Sequence, residues 1–325
     1  MISTAIIGHE RPKKILCAAL AQKEVAHAYL FHGEASIGKF TTAKAFAKTI
    51  QCEKQGDACG ECRACKAIES GIHPDVQIIQ PDGPQIKIDQ VRILQEALVF
   101  KPLIGNRKII IVDEAESMNP EAANCFLKTL EEPPDHSLLI LVASQPHRLL
   151  PTILSRCQRI RFDPPKREDI AGWLIRQKGL SQPEAELLAA LSLGRIGLAL
   201  TNDLGQLLDQ RDKAVSLLSP DALSNLDQLF ENSRTYAGDE ETFRATLDWI
   251  LIWLRDLLVY RHNPDPRLLI NLDRREELSQ HSKHFSTDLL LKIMALLAAF
   301  HRAAHRNLNR TLVLETVLLE LRDNL

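Results

Sequence analysis

The sequence predicts an α/β domain with a parallel sheet, followed by a region built only of helices. Short apolar runs alternate with amphipathic helical segments as far as residue 162. That alternation stops at Asp163-Pro164-Pro165, and no convincing strand follows. Because strand–helix–strand alternation implies right-handed crossovers, we expect the strands to be parallel. At 325 residues the chain exceeds the size at which one core usually keeps growing, so we expect two or three domains.

The predicted strands are short apolar runs bounded by polar or glycine-containing segments. The run at 108–113 is almost continuously apolar, which is typical of parallel strands that are buried on both faces. The five predicted strands are 28–31, 76–79, 108–113, 138–144 and 158–162.

Helices are predicted from apolar residues that recur every three to four positions. Ser181 and Glu184 form a capping-box pattern that opens one of them. Residues 52–65 are polar and rich in Gly and Cys, which predicts an irregular segment. The predicted helices are 12–22, 41–50, 88–98, 120–131, 166–177, 181–193, 241–260 and 287–301.

Composition narrows the class of protein. The net charge is −2, so bulk charge does not indicate nucleic acid as the dominant partner. No segment approaches the length and apolarity of a membrane span. Residues 1–7 lack the basic start of a signal peptide, which predicts a cytoplasmic location with reduced thiols.

Residues 33–40 match seven of the eight positions of the phosphate-binding pattern G-x-x-x-x-G-K-[ST]. In such a loop backbone N–H groups cradle phosphate oxygens, and the lysine reaches the outer phosphates. Gly33, Gly38 and Lys39 are therefore candidate nucleotide-binding residues. The last position, whose hydroxyl would bind Mg²⁺, is Phe40. The alternative is a glycine-rich turn whose lysine is solvated.

Neighbouring residues weaken the nucleotide interpretation. Thr41 is a candidate for supplying the missing hydroxyl, but successive helical residues point about 100° apart, so it would be directed away from the metal. Glu34 adds negative charge, and Ser36 adds bulk beside the phosphates. Both should weaken the binding of a polyanion.

Asp113 and Glu114 follow the third predicted strand. An acidic residue at the carboxyl end of such a strand can hold the Mg²⁺ shell, and a following glutamate can deprotonate a water. The alternative is a solvated acidic turn. Their order after a phosphate-binding loop favours the catalytic interpretation.

Cys52, Cys59, Cys62 and Cys65 have the spacing C-x6-C-x2-C-x2-C. Four thiolates at short spacing suit tetrahedral zinc, and four protein ligands leave no position for water. We therefore predict a structural zinc site. Free cysteines and an iron–sulfur centre are the alternatives.

Arg156 lies in a Ser-Arg-Cys segment beyond the fourth predicted strand. An arginine at the edge of the molecule could reach the phosphates of a neighbouring subunit as an arginine finger. Spacing alone favours an ordinary surface arginine.

These motifs together resemble the bacterial clamp-loader ATPases, which are AAA+ proteins of the DNA polymerase III holoenzyme. The resemblance is strong over about residues 5–163 and weaker to about residue 205. Almost none is detectable after that. It is carried by the degenerate loop, the four cysteines and residues 27–31, 112–115, 124–134 and 155–157.

The resemblance implies a fold and a division into domains. Residues 1–163 would form a P-loop AAA+ domain with an inserted zinc module at about 52–65. Residues 164–205 would form a small helical lid. Residues 206–325 would form an all-α collar domain that joins five subunits in a ring.

Two similar kinds of subunit occur in this family. Gamma/tau subunits bind and hydrolyse ATP, whereas delta-prime subunits act as a rigid stator and offer the Ser-Arg-Cys arginine to a neighbour. Phe40 favours the delta-prime kind. So does Leu198, which takes the place of the sensor-2 arginine when the family pattern is aligned on Gly197. Arg195 would be the sensor if that alignment slips by a few positions.

The resemblance leads to a main hypothesis and two alternatives. The main one is a non-hydrolysing clamp-loader stator in which Arg156 completes a neighbour's site. The first alternative is an ATP-hydrolysing gamma/tau-like subunit that uses Lys39, Asp113 and Glu114, all of which are intact. The second is a zinc-dependent nucleic-acid-binding module with a vestigial nucleotide fold.

Cofactors and partners follow from the same resemblance. We expect structural zinc, and we leave ATP and Mg²⁺ binding open without expecting hydrolysis. The implied partners are gamma/tau and delta subunits in a hetero-pentamer, the sliding clamp and, through the assembly, primer–template DNA.

Overall fold

The computed structural model describes residues 6–54, 58–201, 203–263, 265–303 and 308–324, with the backbone alone at 301–303. The chain divides into two compact units. The first comprises residues 1–173 with 194–198, and the second comprises residues 174–193 with 199–325. The three-domain division stays a prediction. Residues 55–57 of the predicted zinc module lie outside the described part of the chain.

The first unit contains a five-stranded sheet in the order β2-β3-β4-β1-β5, and all of its pairings are parallel. The predicted α/β class and parallel sheet are therefore confirmed. The strands are β1 (Ala28–His32), β2 (Val76–Ile79), β3 (Lys108–Val112), β4 (Ser137–Ala143) and β5 (Gln158–Arg161).

The central strands are buried on both faces of the sheet. Along β3, Ile109 and Ile111 enter one hydrophobic core, while Ile110 and Val112 enter a second core on the other face. This alternation follows from the two-residue period of a strand. On the edge strand β5 only Ile160 is buried. The two cores explain why the runs in β3 and β4 are apolar without interruption.

Helices cover both faces of this sheet. Phe46 of α2 packs in one core and Phe126 of α5 in the other. As far as residue 178 the helices are α1 (Glu10–Gln22), α2 (Lys39–Gln51), α3 (Arg63–Glu69), α4 (Ile88–Val99), α5 (Pro120–Glu131), α6 (Pro151–Leu154) and α7 (Arg167–Lys178).

One local prediction was wrong. Helix α3 begins at Arg63, inside the segment 52–65 that was predicted to be irregular. The Cys62 thiol caps this helix by accepting a hydrogen bond from the Cys65 N–H at 3.4 Å. The helix has only seven residues, too few to show a clear helical period in a polar sequence.

The second unit has one large hydrophobic core, in which Trp253 and Leu254 are fully buried. The predicted capping box forms, with the Ser181 N–H donating to Glu184 at 3.0 Å. No strand occurs among the described residues after 161. The remaining helices are α8 (Gln182–Leu191), α9 (Ile196–Thr201), α10 (Leu204–Ser216), α11 (Pro220–Ser224), α12 (Leu226–Tyr236), α13 (Glu240–His262), α14 (Arg275–His281), α15 (Thr287–Ala303) and α16 (Arg310–Arg322).

None of the helices in the described ranges is long and apolar enough to cross a membrane.

Candidate functional site

The loop between β1 and α2 depends on its two glycines. Gly33 has a φ of 151°, and a Cβ built there would lie 2.2 Å from the Phe162 carbonyl oxygen. Gly38, which caps α2, has a φ of 101°. Residues with side chains rarely adopt such angles, so both positions require glycine for the chain to turn from strand to helix.

Lys39 is buried, with 4% of its surface exposed. Its Nζ donates to the Gly33 carbonyl at 2.8 Å, to the Glu34 carbonyl and to Ser144 Oγ at 3.2 Å. Burial lowers the pKa of Lys39, and the nearby Glu116 carboxylate acts in the opposite direction. The lysine therefore joins the loop to the residue that follows β4.

The loop presents no side-chain oxygen at the position where a metal-binding hydroxyl is required. Phe40 occupies that position and packs against the core on the α2 face of the sheet. Thr41 is exposed, and the Thr42 hydroxyl donates to the Gly38 carbonyl at 2.8 Å. Neither threonine replaces the missing group at position 40.

Asp113 and Glu114 follow β3, the strand that pairs with β4 in the sheet. The Asp113 carboxylate accepts hydrogen bonds from Gln80 Nε2 at 3.2 Å and from the Glu114 N–H at 3.1 Å. Burial raises the pKa of Asp113. Burial and the Asp113 charge both raise the pKa of Glu114. The acidic pair thus lies at the carboxyl edge of the sheet, as does the loop.

Arg156 lies at the amino edge of the sheet, where the strands begin, opposite the carboxyl edge that carries the loop. It comes just before the first residue of β5. Gln158 pairs with Tyr29 near the start of β1, whereas the loop follows the end of β1. Four strand residues span roughly 13 Å. Arg156 therefore lies far from this chain's own loop, and its side chain is 35% exposed.

The four clustered cysteines come together as predicted. Their Sγ atoms all lie within 4.8 Å of one another, with Cys52 and Cys62 at 3.9 Å and Cys59 and Cys65 at 4.0 Å. Four sulfurs about 2.3 Å from a tetrahedral ion would be roughly 3.8 Å apart, so the cluster can hold a metal such as zinc.

Backbone N–H groups also favour thiolate in this cluster. The Cys62 N–H donates to Cys59 Sγ at 3.4 Å. This bond, with one from the Glu61 N–H, lowers the pKa of the Cys59 thiol to about 6. Burial raises the pKa of Cys65 to about 12. A bound cation would offset that cost because it stabilises thiolate directly.

Family models match most of the chain. One described as "DNA polymerase III, delta subunit" matches residues 8–166, and one described as "DNA polymerase III, delta subunit, C terminal" matches residues 206–323. The DNA polymerase III subunit delta' of Bacillus subtilis is 32% identical over 323 residues, which is 96% of each chain. This chain belongs to the DNA polymerase III delta-prime family.

Further relatives agree with this assignment. The subunit delta' of Pseudomonas aeruginosa is 32% identical and is matched over 91% of each chain. The subunit tau of Bacillus subtilis is 31% identical, but only 50% of its length is matched. The resemblance to the clamp-loader family, and within it to the delta-prime kind, is confirmed.

The delta-prime fold brings two residues to the loop that sequence reasoning missed. The Gly197 N–H donates to the Ser36 carbonyl at 2.8 Å, and His9 Nε2 donates to the Ile37 carbonyl at 2.7 Å. In a trans peptide the carbonyl and the next N–H point in opposite directions. These contacts therefore turn the N–H groups of Ile37 and Gly38 away from His9 and Gly197. The two contacts thereby fix the orientation of these two peptide groups in the loop.

His9 shows no sequence pattern that marks it as a functional residue. It is buried, and its ring meets Phe162 edge to face at a centroid distance of 5.0 Å. Burial lowers the pKa of His9, so the neutral ring is favoured. Its Nδ1 is buried without a hydrogen-bond partner among the described residues. Its partner Ile37 is 28 residues away in the chain, so no spacing pattern could have revealed the contact.

Gly197 approaches the loop closely. A Cβ at this position would lie 3.0 Å from Ser36 Cβ. The sequence alignment assigned Leu198, or alternatively Arg195, to the sensor-2 position. Neither assignment is tested, but Gly197, which has no side chain, contacts the loop.

Glu116 is a third acidic residue after β3, and the sequence did not single it out. Its Oε1 accepts hydrogen bonds from the backbone N–H groups of Ser144 at 2.7 Å and Gln145 at 3.0 Å. It thereby ties the end of β3 to the end of β4 and positions Ser144 against Lys39.

Proposed function

We propose that this delta-prime subunit is a non-hydrolysing stator of a sliding-clamp loader. The observation that carries the proposal is Phe40, at the position where an active loop places its metal-binding hydroxyl. The exposed Thr41 and the internally bonded Thr42 support it, because neither supplies that hydroxyl. Gly33, Gly38, Lys39, Thr41, Asp113 and Glu114 would then form a degenerate nucleotide site that does not turn over ATP.

In the same proposal Arg156 acts on a neighbouring subunit. Its partial exposure and its place at the edge of the sheet remote from the loop support action in trans. There a guanidinium would stabilise the charge that develops on the transferred phosphoryl group. Such a neighbour would be a gamma/tau subunit of a hetero-pentamer that also contains delta. The assembly would act on the sliding clamp and primer–template DNA.

The ATPase rate of the isolated chain tests the stator role. We expect turnover slower than about one per minute, well below ordinary enzymes. Steady hydrolysis above that rate, retained through a final size-exclusion step, would contradict the proposal. An active gamma/tau subunit assayed under the same conditions is the positive control.

The Arg156→Ala variant tests the finger role in the assembled loader. An arginine finger raises the rate of hydrolysis at the site it completes by roughly 10³-fold or more. The ATPase rate of the loader should therefore fall by the fraction of turnover that this one site contributes. Arg159→Ala, an exposed arginine on β5, is the matched control and should leave the rate unchanged. If the loader keeps its full rate with Arg156→Ala, the finger role is wrong.

We further propose that Cys52, Cys59, Cys62 and Cys65 hold a structural zinc ion. Four thiolates at these distances fill a tetrahedral shell and leave no position for substrate. Reduced thiols also suit a cytoplasmic protein. Elemental analysis should find one zinc per chain, lost in Cys65→Ser and kept in Cys17→Ser, which lies outside the cluster. Iron in place of zinc, or no metal at all, would contradict this proposal.

A gamma/tau-like, ATP-hydrolysing subunit is the second candidate. It is favoured by the presence of Lys39, Asp113 and Glu114 at one edge of the sheet, since these could bind phosphate, Mg²⁺ and water respectively. The ATPase assay of the isolated chain separates the two candidates. Sustained turnover supports the second and its absence supports the stator.

A further inference from the structure

The guanidinium of Arg156 is held by groups of its own chain. Nη2 forms an ion pair with Glu131 Oε1 at 2.7 Å, and Nη1 donates to the Thr152 carbonyl at 3.0 Å and to Ser155 Oγ at 3.4 Å. Glu131 is the last residue of α5, and 49% of its side chain is exposed. The pair therefore lies at the surface, where both groups can exchange partners.

The ion pair opposes the role of a finger. A finger acts by bringing an uncompensated positive charge to a phosphoryl group. With the Glu131 carboxylate at 2.7 Å, the local charge of the pair is close to zero. The same carboxylate would also repel a neighbour's phosphates. Arg156 must exchange Glu131 for phosphate before it can act at full strength.

We propose that Glu131 is a positioning residue that holds Arg156 in an ion-paired resting state until a neighbour's nucleotide displaces it. This inference rests on the proposed finger role of Arg156. Exposed ion pairs contribute little to stability, so the resting state is favoured by no more than about fivefold and a polyphosphate can displace it. The ion pair would thus hold the Arg156 side chain in position without preventing its contact with the nucleotide of the neighbouring subunit.

The experiment is the steady-state ATPase of the reconstituted loader that carries the Glu131→Gln variant. Glutamine keeps the size of the side chain and removes its charge. We expect KM for ATP to fall by up to about fivefold while kcat stays the same. The reason is that the Glu131 carboxylate competes with the bound nucleotide for Arg156 and does not affect the hydrolysis step that follows. Glu132→Gln, which neutralises the next exposed carboxylate in the chain, should leave both constants unchanged.

A double variant tests whether the effect passes through Arg156. Glu131→Gln combined with Arg156→Ala should behave as Arg156→Ala alone. If Glu131→Gln still lowers KM without Arg156, the carboxylate acts on phosphate directly and the resting-state proposal is overturned. An unchanged KM in the single variant, or a kcat reduced as far as in Arg156→Ala, overturns it as well.

Other outcomes separate this inference from the function beneath it. If Arg156→Ala lowers the loader rate but Glu131→Gln changes nothing, only the role of Glu131 fails. If Arg156→Ala has no effect, the finger role fails and the inference fails with it. Thermal unfolding of each purified variant, expected within about 2 °C of the wild type for a surface charge change, shows that folding is not the cause.

Discussion

The two edges of the sheet have opposite characters. At the carboxyl edge the loop is fastened by hydrogen bonds from the buried side chains of Lys39 and His9 to Gly33 and Ile37, and by one from the Gly197 N–H to Ser36. At the amino edge the partly exposed Arg156 is held by Glu131, by the Thr152 carbonyl and by the Ser155 hydroxyl. The first edge carries the loop with Phe40 at position 40, the degenerate nucleotide site of our proposal. The second has one exchangeable cation.

The difference indicates what each edge contributes. Buried hydrogen bonds are costly to leave unmade, so a loop held by them is retained as part of the fold whether or not it acts on a nucleotide. An exposed ion pair adds little to stability and can be exchanged for a new partner. Changes at the carboxyl edge should therefore affect stability, and changes at the amino edge should affect the assembly's activity.

The largest expected effect is on stability, from Gly33→Ala. A Cβ there would meet the Phe162 carbonyl at 2.2 Å, at a φ of 151° that alanine does not tolerate. We expect the free energy of unfolding to fall by about 3 kcal/mol or more, measured by urea denaturation. Gly71→Ala is the control, because its φ is 74° and a Cβ there would have nothing within 4 Å. It should cost only about 1–2 kcal/mol. Equal losses would mean that the loop is not held against β5.

Lys39→Met should lower the free energy of unfolding by about 1–3 kcal/mol, because the Gly33 carbonyl and Ser144 Oγ lose their donor. Under the stator proposal this site does not turn over ATP, so the ATPase rate of the assembled loader should not change. Lys14→Met, at an exposed lysine of α1, is the control for stability. A loader slowed by Lys39→Met, at unchanged assembly, would show that the carboxyl edge has a catalytic role.

Acidification should weaken the carboxyl edge through His9. Burial lowers the pKa of His9 in the folded state, so below pH 6.5 the unfolded chain binds the proton more readily. The stability contributed by His9 is complete above that pH and is lost as the pH falls. One histidine contributes at most about 1.4 kcal/mol per pH unit.

The His9→Gln variant isolates that contribution, because an amide Nε2 can still donate to Ile37 but does not titrate. Urea denaturation at pH 7.5 and 5.5 should show a smaller loss of stability in the variant than in the wild type. Other histidines with a lowered pKa, such as His73 and His281, remain in both proteins and cancel in the comparison. Equal losses would show that His9 does not carry the pH dependence of the loop.

The smallest expected effect is that of Phe40→Thr on ATPase activity. This substitution restores the hydroxyl, but Gly197 still offers no cation, and Glu34 and Ser36 still hinder a polyanion. We expect no measurable gain in turnover by the isolated chain, with Phe40→Leu as the control for lost packing. Sustained ATP hydrolysis by the Phe40→Thr chain would contradict this expectation. It would show that the side chain at position 40 alone prevents turnover at the loop.

Sequence patterns predicted much of the fold and some of the site. The apolar runs of β3 and β4 showed burial on both faces, and Ser181 with Glu184 marked the start of α8. These signals are local, because each depends on residues a few positions apart. The four cysteines are also a local signal, because their short spacing along the chain brings the thiols close together. Helix α3 was missed because a seven-residue polar helix carries too weak a period.

By itself the sequence determined the fold class, the altered loop with Phe40, the cysteine ligand set and the candidate finger Arg156. Only the tertiary structure decided what touches them: His9 and Gly197 on the loop, Glu116 behind Ser144, and Glu131 beside Arg156. Each of these contacts joins residues at least 25 positions apart. Such pairs meet only when helices and strands pack, and no periodicity or spacing along the chain encodes them.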